Sequence, residues 1–389
     1  MLRLIYLYRN LTRNKLRTLL TCAAVALPII VYVMSTAVIS GINGFLENSA
    51  KQLRLVIVHR TSIANPLPAG HRRKIESLDP SGNRLVSVCN MRWIGGKVDD
   101  DPRPLSTLAA DVNSFVKTFP DYELTPEEIA AWQRDRQAII VGSSTARQFG
   151  WEVGDRITVR PSVPPYNPME FHVVSTAERA SDPVTLFFRS DYLEEELRKI
   201  GAPDGLVSFI FVKCASKDDL DHFRQAIDAL FAQTPDETKT QDEKAFMNEY
   251  ISQQFNLPRN LTILAAVTIF VAVMAATNTM SMNIRDRINE VAVLRSVGFK
   301  DSVVFLLVEV ESLVLCLLGG VVGGGIPYVL FNFTPLKDMR VPLIQVLDIQ
   351  FAVCAQALVI ALFIGIIAAA WPAWAASRMT VVQALRNIE

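Results

Sequence analysis

The stretch TLLTCAAVALPIIVYVMSTAVISGIN, residues 18–43, contains no charged side chain. At about 1.5 Å of rise per residue, a helix of this length more than crosses a hydrocarbon core about 30 Å thick, so it reads as a first membrane span. Pro28 lies inside it and predicts a bend, because proline lacks the amide that would bond one turn back. A cleaved secretory leader is not expected, since nothing after Asn43 resembles a small-residue cleavage site. Nor is a lipoprotein signal, because too few apolar residues separate Arg17 from Cys22.

Working outward, residues 260–284 and 349–374 are also long, apolar and free of charge, and residues 302–330 are apolar and glycine-rich but contain Glu309 and Glu311. These give second, fourth and third spans respectively. Orientation follows from the basic residues beside them. Arg3, Arg9, Arg13, Lys15 and Arg17 precede the first span with no acid among them, and Arg285, Arg287, Arg295 and Lys300 follow the second. Arg378 and Arg386 follow the fourth, while the 331–348 loop has only Lys337 and Arg340. Both termini are therefore expected inside, and residues 47–259 and 331–348 outside.

Residues 1–17 place Arg9, Arg13 and Arg17 opposite Leu4, Leu7, Tyr8 and Leu11 at helical spacing. This fits an amphipathic helix on an anionic cytoplasmic leaflet as well as an ordinary positive flank. The 375–389 tail is expected to be cytoplasmic.

The 47–259 region alternates two kinds of segment. Runs rich in β-branched and aromatic residues at 53–59, 84–89, 138–141, 156–160, 170–175, 184–188 and 206–213 predict strands. Helices are expected at 143–149, 192–200 and 217–232, the last with Leu220, Phe223, Ile227 and Leu230 facing a core. The fold class is thus an α-helical membrane protein with four transmembrane helices and an α+β extracytoplasmic domain inserted between the first and second. A helix over 242–257 is expected to form a stalk running into the second span. Loops at 65–70 and 161–168, rich in proline, are candidates for partner contacts.

Chemistry is sparse. His59, His71, His172 and His222 are scattered, with no metal-ligand spacing, no GxSxG and no phosphate-binding GxxxxGK[ST]. The Asp99–Asp101 and Glu194–Glu196 runs read as solvated faces before cation sites, and His71-Arg72-Arg73-Lys74 as exposed basic surface before a contact for a lipid head group or an acidic partner. No catalytic residue, metal site or resident cofactor is expected. With 39 basic and 39 acidic residues, the zero net charge gives no basis for nucleic-acid binding. Cys89 and Cys214 share the external region, and whether they pair stays open.

The short inside segment, residues 285–301, is the most informative. In IRDRINEVAVLRSVGF, residues 284–299, Ile284, Ile288, Val291 and Leu294 repeat at helical spacing, and Gly298 is placed to stop the helix in a left-handed cap. Asp301 or Ser302 would then cap the third span. The charges are not confined to one face, which suits a helix that meets a protein rather than a membrane.

This segment, with its R…E-x-A-x-L-R-x-x-G pattern, resembles the permeases of the macrolide exporter, lipoprotein-release and cell-division families of ABC transporters. RNKLRTLLT from Arg13, AIIVGSS from Ala138, GWEVGDRITV from Gly150 and PAWAASR from Pro372 are similar to further family segments, in order along the chain. Trp374, Ala375 and Thr380-Val381 depart from its usual ending. The resemblance implies that a separate cytoplasmic ATPase dimer, carrying the ATP and magnesium, binds two permease subunits, alike or different. Arg287, Glu290, Val291, Leu294, Arg295 and Gly298 would form the coupling surface, with Glu290 and Arg295 supplying polar contacts. It further implies a bacterial inner-membrane location, and export or extraction of an amphiphile with a periplasmic adaptor or other external partner. The alternative it leaves is a mechanical transmitter that regulates an external hydrolase.

Gly319, Gly320, Gly323 and Gly324 allow close helix approach, either within one subunit or across a dimer seam. Glu309 and Glu311 need polar partners if they lie among lipid-facing helices, and Glu311 is expected to bond a neighbouring helix.

Overall fold

The structure, a computed structural model, describes residues 15–98, 101, 103–255, 257–286, 296–298, 300–334 and 349–378. Its order follows from where the chain can keep backbone polar groups satisfied. In lipid only helices do so within one segment, and among the described residues four helices are long and apolar enough to cross a membrane. They are α1 (Lys15–Lys51), α9 (Leu257–Asp286), α10 (Asp301–Phe333) and α11 (Phe351–Arg378). The described residues fall into two compact units, one of α9, α10, α11 and α1 as far as Gly41, the other running from Ile42 to Phe255.

The second unit has an α+β fold. Its strands are β1 (Arg54–His59), β2 (Leu67–Pro68), β3 (Leu85–Trp93), β4 (Thr107–Ala110), β5 (Ala138–Val141), β6 (Arg156–Val159), β7 (Met169–Ser175), β8 (Leu186–Arg189), β9 (Leu206–Val207), β10 (Phe209–Cys214) and β11 (Thr238–Asp242). Its helices are α2 (His71–Glu76), α3 (Val112–Thr118), α4 (Pro126–Arg134), α5 (Ser143–Phe149), α6 (Ser190–Lys199), α7 (Lys217–Phe231) and α8 (Glu243–Phe255). Nine strands form one mixed sheet in the order β11-β1-β10-β3-β4-β8-β5-β7-β6, and β2 and β9 form a small second sheet. Pairing is parallel at β4/β8 and β5/β7.

At β1, β5 and β8 the sheet is buried on both faces, which explains why β1 reads as an unbroken apolar run rather than an alternating one. Leu55 and Ile57 pack with Val88, Ile210 and Val212 under Phe223, Ile227 and Phe231 of α7. Val56 and Val58 point the other way, into a cluster with Phe115, Trp132, Phe211 and Phe246. A third cluster joins Ile139, Val141, Phe171 and Phe188 to Tyr192, Leu193 and Leu197 of α6.

Several local expectations are corrected. Asp242 closes β11, an edge strand, and the helix after it starts at Glu243. On α7 the core face takes Phe231, while Leu230 is 39% exposed. Residues 65–70 are not wholly loop, since Leu67 is buried and pairs with Val207. His71 is buried against the Phe231 ring, with centroids 4.0 Å apart, so the 71–74 run is a structured helix turn. Arg72 there pairs with Glu76 at 2.8 Å. Lys300, rather than Asp301 or Ser302, occupies the cap position of α10. The expected amphipathic segment lies outside the described residues up to position 14, as do most of the 331–348 loop and most of the tail.

Candidate functional site

Within the helical unit, α10 is the hub. A Cβ on Gly319 would lie 2.9 Å from Val25 Cβ, and one on Gly323 2.7 Å from the Ala26 carbonyl oxygen, so both glycines meet α1 at backbone distance. One residue further round the helix, a Cβ on Gly320 would stand 2.6 Å from Ala361 Cβ, and one on Gly324 3.7 Å from Ala357 Cβ, both on α11. Two small-residue stripes on one helix thus admit two neighbours, and both stripes are filled within this chain. Across the α10/α11 contact, Gly365 returns the same geometry, and the buried Ser312 Oγ donates to its carbonyl at 3.0 Å. Cys22 Sγ reaches the Leu315 carbonyl and Cys354 Sγ the Gly324 carbonyl, each at 3.6 Å.

The intramembrane acids behave differently from each other. Glu311 is buried and accepts a hydrogen bond from Asn283 Nδ2 of α9 at 2.9 Å. Glu309 has a buried carboxylate oxygen, Oε2, with no hydrogen-bond partner among the described residues. Asn283, Ser312 and Gly365 were not singled out by sequence reasoning. A polar side chain near the end of an apolar run was the available signal for Asn283.

Of the expected coupling residues, Arg287, Glu290, Val291, Leu294 and Arg295 lie outside the described residues. Gly298 is described, and its φ of 96° is one that residues with a Cβ rarely adopt. The chain therefore turns there before Lys300 leads into α10.

In the α+β unit, the GWEVGDRITV signature forms a helix stop and a strand start. Gly150 ends α5 with φ 70°, Trp151 N donates to the Ala146 carbonyl at 2.8 Å, and Glu152 N donates to Asp155 Oδ2 at 2.8 Å just before β6. That assigns the signature a folding role. Among the described residues no group of three or more His, Cys, Asp or Glu side chains is placed to hold a metal ion. Glu195 pairs with Arg136 and Lys199, and His172 Nδ1 lies 2.6 Å from Asp135 Oδ2.

Cys89 and Cys214 are both free. Cys89 sits opposite Phe211 and packs in the cluster around Phe115, whereas Cys214 sits opposite Leu85 and packs beneath α7. Two thiols in clusters on opposite faces of the sheet cannot meet without moving the backbone. Burial pushes each thiol up to about 12.

Comparison with known proteins agrees with this architecture. Residues 18–230 match the MacB-like periplasmic core domain, and residues 262–381 match the FtsX-like permease C-terminal domain. An uncharacterized ABC transporter permease of Methanocaldococcus jannaschii is 20% identical over 402 residues, which cover 98% of this chain and 97% of that relative. The extracellular domain of the noncanonic ABC-type transporter YknZ from Gram-positive bacteria resembles 48% of this chain over 99% of its own length, with a TM-score of 0.33 at 10% identity. The periplasmic region of MacB from Actinobacillus actinomycetemcomitans resembles 53% of this chain over 96% of its own length, with a TM-score of 0.34 at 11% identity. Four long apolar helices, an α+β domain between the first two, and both family matches in their proper order place the chain in the MacB/FtsX-like family of ABC transporter permeases.

Proposed function

We propose that this permease transmits force: hydrolysis by a separate cytoplasmic ATPase dimer moves the α+β domain, which exports or extracts an amphiphilic substrate at the outer face of a bacterial inner membrane. An ABC permease implies an ATPase partner. The finer reading draws its main support from one observation, the length of α1. That helix has 37 residues, roughly 55 Å at 1.5 Å per residue, and it hands over to β1 at Arg54. The hydrocarbon core takes only about 30 Å of this, so a single continuous helix has length left over beyond the lipid.

On this reading the inside segment around Glu290 receives the ATPase, with Glu290 and Arg295 in polar contacts and Arg287, Val291, Leu294 and Gly298 shaping the surface. The spans carry no substrate path of their own. The two inward glycine stripes of α10 hold three helices at close distance, and the Asn283–Glu311 bond ties in the fourth. Both features favour helices that move together.

The test is co-purification from native membranes. The wild-type chain should retain an ATPase, and Glu290→Lys or Leu294→Asp should remove most of it while leaving permease yield unchanged. Retention of the ATPase by both variants would remove the assigned coupling surface. A photo-crosslinker at Tyr166, which is 57% exposed in the 161–168 loop, should capture an adaptor or a lipid. Capture of a cell-wall hydrolase there would replace transport with mechanical regulation.

A further inference from the structure

The chain enters the α+β unit through β1 and leaves it through β11 and α8. These two strands are antiparallel neighbours, with Leu55 opposite Asp242 and His59 opposite Thr238. Continuing that register puts Arg54, the first residue of β1, across from Glu243, the first residue of α8.

Arg54 is 4% exposed and Glu243 6%. Arg54 Nε donates to Glu243 Oε2 at 2.6 Å and Nη2 to Glu243 Oε1 at 3.0 Å, a two-pronged grip on one carboxylate. Nη2 also donates to Asp121 Oδ2 at 3.2 Å, and Nη1 donates to Asp121 Oδ1 and to the Thr118 carbonyl. A guanidinium has five N–H groups in a fixed fork, and these five bonds use them all. The guanidinium carbon also stands 4.4 Å from the centre of the Phe119 ring, an aromatic of the domain core. Asp121 in turn accepts from Ser181 Oγ.

The backbone beside Arg54 is equally constrained. Leu53 has φ 52°, an uncommon conformation for a residue with a Cβ, held only when the surroundings enforce it. The Gln52 carbonyl accepts from Lys213 Nζ, and the Leu53 carbonyl accepts from Cys214 N at 2.9 Å. Both partners are on β10, next to β1 in the sheet.

Stability alone is a weak reason for such a cluster. Desolvating three charges costs about as much as their attraction returns, and apolar replacements of buried ion pairs are often neutral or stabilising. What a bidentate Arg–carboxylate pair does provide is fixed geometry between two backbones. Resting on the force-transmission reading above, we propose that Arg54 is a positioning residue that clamps β1, α8 and the Asp121 turn into one joint, so that the incoming and outgoing chain segments move the domain as a single body. Without it, the residues between Lys51 and β1 bend under load and the domain lags behind the helices.

The test uses the full permease with its co-purified ATPase in lipid nanodiscs. A click-attached donor dye at Lys217, an exposed position, reports distance to acceptor-labelled lipids with and without ATP. Wild type should show an ATP-dependent change. Arg54→Leu and Glu243→Leu should each lose most of it while the complex still hydrolyses ATP, with trypsin resistance checking that the domain survives a buried pair broken on one side. The R54C/E243C double variant supplies a covalent clamp, since the two positions directly adjoin the paired residues Leu55 and Asp242 and a disulfide spans Cα atoms about 4.4–6.8 Å apart. It should recover the change when oxidised and lose it when reduced. Undiminished change in the Leu variants, or equal change in the oxidised and reduced double variant, overturns the inference. If the Leu variants misfold, the oxidised-against-reduced comparison decides alone. Absence of any change in wild type removes the force-transmission reading and this inference with it, whereas movement in wild type and in every variant removes only the clamp.

Discussion

At the scale of single residues, the helical unit is governed by what a Cβ would strike. Gly323 faces the Ala26 carbonyl at 2.7 Å, whereas Gly325 on the same helix faces nothing within 4 Å. Gly323→Ala should therefore destabilise the detergent-solubilised permease by about 1–3 kcal/mol through overpacking, and Gly325→Ala should leave its melting temperature unchanged or slightly higher, since alanine suits a helix better than glycine. Comparing the two melting curves checks this. The glycine cluster was legible in the sequence, but not which neighbour each glycine serves, because that depends on the rotation of α10. Arg54 shows the converse. A lone cation opening the run Leu55–Val58 was visible, yet its partners Asp121 and Glu243 are too distant in sequence for spacing to reveal.

At the scale of elements, the spans are the most readable part because lipid leaves a helix no alternative and fixes its minimum length. The strands that rest on apolar runs are readable for a similar reason. β11, with the sequence Thr-Lys-Thr-Gln-Asp, and β4, with Thr-Leu-Ala-Ala, carry little intrinsic signal and owe their state to pairing with β1 and with β3 and β8. α4 could have been found from its Thr125 capping box with Glu128, a signature followed by an apolar stripe ending at Trp132. On α7 the helical period is the one the sequence predicts, but its last contact falls on Phe231 rather than Leu230. Ile227→Ala should then cost the domain about 2–5 kcal/mol, and Leu230→Ala about 0.5 kcal/mol or less, as measured by urea unfolding.

At the scale of the whole molecule, the second unit has its own three apolar clusters and should fold when residues 42–255 are expressed alone. Its melting should be cooperative and should weaken in acid. The Ser81 hydroxyl and the amides of Leu85 and Arg84 hold the Asp79 carboxyl at about 2, below its ordinary 3.8. For a depressed carboxyl the stabilisation is complete above the ordinary value and is lost as pH falls from about 4 towards 2. Asp121 acts with the same sign, because the Arg54 guanidinium outweighs the effect of burial and lowers it. Glu243 acts with the opposite sign, since burial raises it. Asp79→Asn should accordingly flatten the decline of melting temperature across that acid window. A fragment whose stability ignores acid, or whose decline Asp79→Asn leaves unchanged, would contradict this assignment.

The pairing of β1 with β11 has one more consequence. Neighbouring strands in a sheet lie about 4.7–4.9 Å apart, so the chain enters and leaves the large sheet almost at a common point. A sheet entered and left in this way can be lengthened or shortened between those two points without disturbing the segments that precede and follow it. Such a layout leaves the size of the sheet open to change while the order of the helices along the chain stays the same.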